Sequence, residues 1–90
     1  MIINIKFDYY GKTVFIPDGY ITDVNKLQTD FLEWVKDQPD CITEVNGIAG
    51  LSYDADDFLC YINQVILAAA KEKAYFTDHT NKRRIKTISF

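Results

Sequence analysis

Histidine, glycine, proline and cysteine are all scarce in this 90-residue chain: one His, four Gly, two Pro and two Cys. Two thiols, Cys41 and Cys60, cannot frame a disulfide miniprotein, and with no C-x-x-C spacing they read as unclustered thiols in a reducing cytoplasm. Zinc binding wants Cys and His at close spacing, which two distant thiols and one imidazole do not offer. The glycines stand apart at 11, 19, 47 and 50, so there is no glycine-rich phosphate cradle and no collagen-like repeat. Long apolar runs are missing too. The longest, Val65 to Ala70, falls far short of the roughly 20 residues that span a bilayer, so no membrane role is expected. Asn4, Lys6 and Asp8 interrupt the first apolar residues, a pattern unlike a signal peptide.

Catalytic groups are equally sparse. The serines are Ser52 and Ser89, and neither stands near His79 or an obvious base; Ser52 reads as a helix cap and Cys60 lies inside a predicted helix. Asp54, Asp56 and Asp57 lack the glycine and closing glutamate of a calcium loop, and they suit the positive end of a helix dipole instead. No catalytic residue, metal site or cofactor is therefore assigned, and the chain reads as a non-enzyme.

What is present describes one ordinary domain. Hydrophobic residues make up 48% and charged residues 26%, and a chain of 10.4 kDa buries roughly 64% of its unfolded surface. The net charge of −3 is unevenly spread: residues 1–70 carry −7 and residues 71–90 carry +4. Residues with AT-rich codons outnumber those with GC-rich codons, which suggests a low-GC bacterium or its phage.

The chain divides by periodicity. Ile3, Ile5 and Phe7 alternate with polar residues, and Thr13 to Ile16 is β-rich, so residues 2–16 read as a hairpin turning near Gly11. Val24, Leu27, Phe31, Trp34 and Val35 fall within a 100° arc of a helix, capped by Thr22 or Asp23 and ended by Pro39. A second hairpin, 42–51, turns at Asn46-Gly47, a pair suited to the positive φ values of a type I′ turn. A longer helix is expected from Ser52 or Asp54 to about Lys73, with Cys60 and Leu67 on its polar side as a self-association patch that would make a homodimer. A last strand spans Arg84 to Ile88. The order ββαββαβ predicts an α+β fold: a mainly antiparallel sheet from two β-hairpins plus a C-terminal strand, with two amphipathic helices packed on one face.

Function then has to reside on the surface. Asp23, Asp30, Glu33 and Asp37 form an acidic stripe on the outer face of the first helix, interrupted by Lys26. Tyr9, Tyr10, Tyr20 and Tyr53 sit at turns and element ends, where tyrosines can serve a protein interface. These features point to a small acidic protein that binds a protein partner, such as a bacterial or phage regulator or inhibitor of the anti-defence or immunity type. The competing reading is a nucleic-acid-binding module that uses Lys82, Arg83, Arg84 and Lys86; the same cations would also blunt an edge strand against aggregation.

Overall fold

A computed structural model describes residues 1–78 and 86–90. The first hairpin forms as the alternation predicts. β1 (Ile2–Lys6) pairs antiparallel with β2 (Gly11–Phe15), placing Ile3 opposite Val14 and Ile2 opposite Phe15. Ile3, Ile5, Val14 and Ile16 all turn to one face and are buried.

α1 (Val24–Val35) starts at Asp23, whose carboxylate accepts hydrogen bonds from the Asn25 and Lys26 N–H groups at 3.0 and 3.3 Å. Its Leu27, Phe31 and Val35 point into the core, and Trp34 packs half-buried at the margin. A 3₁₀ turn at Pro39–Cys41 then leads into β3 (Ile42–Val45) and β4 (Ile48–Leu51). Asn46 at φ 54° and Gly47 at φ 79° supply the two positive torsions of the tight turn between them.

α2 (Ala55–Tyr61) opens with a capping box, in which the Asp54 carboxylate accepts from the Asp57 N–H at 3.1 Å and the Asp57 carboxylate from the Asp54 N–H at 3.0 Å. The expected helix to Lys73 is cut short. The chain widens into a π turn at Ile62–Ile66, closed by the Leu67 N–H donating to the Ile62 carbonyl at 2.8 Å. The extra residue in that turn rotates the succeeding residues by about 100° on the helical wheel. Leu67, expected on the polar side, is therefore fully buried, while Val65 emerges. Asn63 clamps the returning chain by donating to the Ala74 carbonyl at 3.1 Å and accepting from its N–H at 2.8 Å.

Two short strands complete the main sheet. β5 (Tyr75–Phe76), not foreseen from the sequence, pairs antiparallel with β2; β6 (Lys86–Ser89) pairs parallel with β1 and brings Ile88 beside Ile5. The order is β5-β2-β1-β6, and β3 and β4 form a sheet of their own. The α+β class holds, with a mixed four-stranded sheet, two helices and a separate hairpin, in the order ββαββαββ. The core lies between the apolar sheet face and the helices, around Phe31, whose ring lies 5.2 to 5.7 Å from those of Phe58, Phe90, Tyr53 and Tyr61.

Candidate functional site

Of the acidic stripe, Asp30 and Glu33 lie on α1 itself, Asp23 is its cap and Asp37 lies past its end, and much of the charge is already used. Asp23 is occupied as the helix cap. Asp30 accepts a hydrogen bond from the Lys26 ammonium at 2.7 Å, and Glu33 one from Lys36 at 3.0 Å. The Asp30 carboxylate, through that hydrogen bond and its charge, raises the Lys26 pKa. Tyr61, at the floor of the depression that Asp23, Lys26 and Asp30 line, is pushed up by burial and then by the Asp30 charge. Asp37 is exposed beyond the end of α1. Surface pairs of this kind are worth about 0–1 kcal/mol. Their consequence here is that the stripe offers less free negative charge than its residue count suggests.

The two tyrosines after β1 part company. Tyr9 is 98% exposed. Tyr10 stacks on Phe7 with ring centroids 5.1 Å apart, and its hydroxyl accepts a hydrogen bond from the Ala55 N–H at 3.0 Å, satisfying one of the free donors at the start of α2. Tyr10 thus ties the β1–β2 loop to α2, whereas Tyr9 is held out into solvent. Both line a groove of about 480 Å³ that Leu51, Tyr53 and Phe90 also line. The tyrosines divide: Tyr20 lines a depression with Asp23 and Asp30, and Tyr9, Tyr10 and Tyr53 line the groove beside Leu51. Of the basic cluster, Lys86 is exposed in β6; Lys82, Arg83 and Arg84 lie outside the described residues, as does His79.

The second hairpin is an exposed apolar feature that sequence reasoning did not nominate. All eight residues of β3 and β4 are exposed, among them Ile42 (47%), Val45 (66%), Ile48 (74%) and Leu51 (42%). Cross-strand pairing puts Ile42 beside Leu51 on one face of the ribbon and Val45 beside Ile48 on the other. A signal for this was present. Ile42 and Val45 are three residues apart, as are Ile48 and Leu51, so neither strand alternates cleanly as a strand lying on a core would. An isolated two-stranded hairpin is at best marginal in water. This one is anchored at its root by buried Cys41, whose carbonyl accepts from the Ser52 N–H at 2.7 Å. Burial, followed by the nearby Asp57 charge, raises the Cys41 thiol pKa.

Among the described residues, no group of three or more His, Cys, Asp or Glu is arranged to hold a metal ion, and no helix is long and apolar enough to cross a membrane. Comparison with protein-family models, with curated proteins and with solved structures finds no match.

Proposed function

We propose that this is a small non-catalytic protein that acts by binding another protein, a regulator or inhibitor in the style of bacterial or phage anti-defence and immunity proteins. The observation that carries the reading is the hairpin 42–51, which holds Ile42, Val45, Ile48 and Leu51 in water. Large apolar side chains left exposed on both faces of one hairpin are surface for a partner to cover. Tyr9 extends that surface across the groove beside Leu51. Exposed Asp37, past the end of α1, and Glu44 on β3 would favour a partner with basic groups at the rim of its interface.

The test is affinity capture from the source organism with the wild-type chain and with a Val45→Asp/Ile48→Asp variant. One protein enriched by the wild type and lost with the variant is expected. Identical captures by both chains would refute the reading. So would tight binding of short DNA or RNA that falls steeply with salt and disappears when Lys82, Arg83 and Arg84 are replaced.

A further inference from the structure

We propose that β4 pairs antiparallel with β4 of a second copy of this chain, across a two-fold axis at Gly50, so that two hairpins become one four-stranded sheet. The inference rests on the reading of the hairpin as a binding surface and identifies what pairs with its open edge.

The apolar surface on this side of an interface is modest. The exposed fractions of Ile42, Val45, Ile48 and Leu51 together amount to little more than two whole side chains. Their complete burial would supply ~3–7 kcal/mol. Association costs about 4–15 kcal/mol in lost freedom of motion. Unpaired strand edges offer an attractive contribution beyond apolar burial.

The sheet edges differ in a telling way. β5 is two residues long, too short to template a neighbour. β6 carries Lys86, and its Ser89 carbonyl accepts a hydrogen bond from Gln28 at 2.7 Å. β3 carries Glu44 in mid-strand. These are the devices by which edges resist pairing. β4, Ile-Ala-Gly-Leu, has no charge and no proline and is paired only with β3 among the described residues; Lys36 stands beside Ala49, Gly50 and Leu51.

The register shows which β4 groups are free. Val45 and Ile48 flank a two-residue turn and so form a hydrogen-bonded pair, as do Thr43 and Gly50 two residues on. Ala49 and Leu51 occupy the alternate positions and turn their N–H and C=O groups to the open edge. With the axis at Gly50, Ala49 of each copy pairs with Leu51 of the other. That makes four backbone hydrogen bonds and places the small Ala49 beside the large Leu51. The two Gly50 residues meet at the close, non-hydrogen-bonded position, where side chains would crowd. No like charges face each other. An isologous pairing of this kind closes at two copies rather than growing into a filament.

Sedimentation equilibrium of the full chain is expected to show a dimer. Ala49→Pro removes an outward N–H while sparing the hairpin's own ladder, and is expected to yield a monomer. Glu44→Pro makes the same change on the outer edge of β3 and should leave the dimer intact. Gly50→Cys fits the single chain, since a Cβ there would meet only Thr43 Oγ1 at 3.6 Å. Under mild oxidation it should join two chains through position 50, identified by peptide mass spectrometry, whether or not the proline variants fold. A wild type that stays monomeric at its highest soluble concentration would overturn the proposal, as would an Ala49→Pro chain that still dimerises or an oxidised Gly50→Cys chain that stays uncrosslinked. A monomer that still captures a partner through Val45 and Ile48 would refute the pairing and leave the binding reading intact. A β4 dimer that captures nothing would do the reverse.

Discussion

Ile48→Thr and Ile5→Thr make the same chemical change at two strand positions, and their costs should differ severalfold. Threonine keeps the β-branch, so strand preference changes little and the comparison isolates burial. Ile5 is completely buried in β1, whereas Ile48 is 74% exposed in β4. Full burial of an isoleucine side chain is worth about 1.5–3 kcal/mol. Only about a quarter of that accrues at Ile48, which gives ~0.4–0.8 kcal/mol as an upper bound. At Ile5 the loss of apolar contact is joined by the cost of a buried hydroxyl, about 1–3 kcal/mol if unpaired, for a total of roughly 3 kcal/mol or more. Urea unfolding followed by fluorescence reads both, because the chain has a single tryptophan, half-buried Trp34 on α1. With a slope near 1–1.5 kcal/mol/M for a domain of this size, the midpoint should move by less than about 1 M for Ile48→Thr and by 2 M or more for Ile5→Thr. The titrations belong at low protein concentration, since association would stabilise the folded chain by mass action. If Ile48→Thr costs as much as Ile5→Thr, the hairpin packs on its own domain in solution, and the observation behind the binding proposal is gone.

The core and the caps give three other expected outcomes. Asn63→Ala removes both hydrogen bonds to Ala74 and should destabilise the chain by about 1–3 kcal/mol, measured by the same unfolding assay. Burial raises the Asp57 pKa above the ordinary aspartate range, against the opposing hydrogen bond from the Asp54 N–H. The folded chain therefore holds the Asp57 proton more tightly than the unfolded chain. Its contribution is fully present below the unfolded aspartate range and is lost as pH rises through the folded pKa. Asp57→Asn should accordingly flatten the stability–pH curve in that interval, read by unfolding midpoints across the acid range. Alkylation of the native protein followed by peptide mass spectrometry should modify Cys60, which is half-buried, well before Cys41, which is 3% exposed and has a raised thiol pKa; equal rates would show that the hairpin root opens readily.

Elements whose partners are near in sequence were the legible ones. Strict alternation placed Ile3 and Ile5 on the core face, Asn46-Gly47 turned the second hairpin, and the arc from Val24 to Val35 ended before Pro39. Lys26–Asp30 and Lys36–Glu33 are four and three residues apart, so the partial neutralisation of the acidic stripe was also readable from spacing. The π turn was not: its extra residue exchanges the expected positions of Val65 and Leu67, and the Asn63–Ala74 clamp beside it joins residues 11 apart. β5 exists because β2 offers an edge to Tyr75 and Phe76, and nothing in two residues announces that. The second hairpin is the instructive case. Its turn and register are local properties and formed as expected, but which core it would join is not local. Each strand carries its large apolar residues three apart, one to each face, so no placement on a single core could bury both Ile42 and Val45. A ribbon that no single core can cover has to leave one apolar face in water or meet a surface from elsewhere. Its chemistry therefore argues for a partner more strongly than the acidic stripe does, since the stripe's charges are largely answered within the helix that bears them.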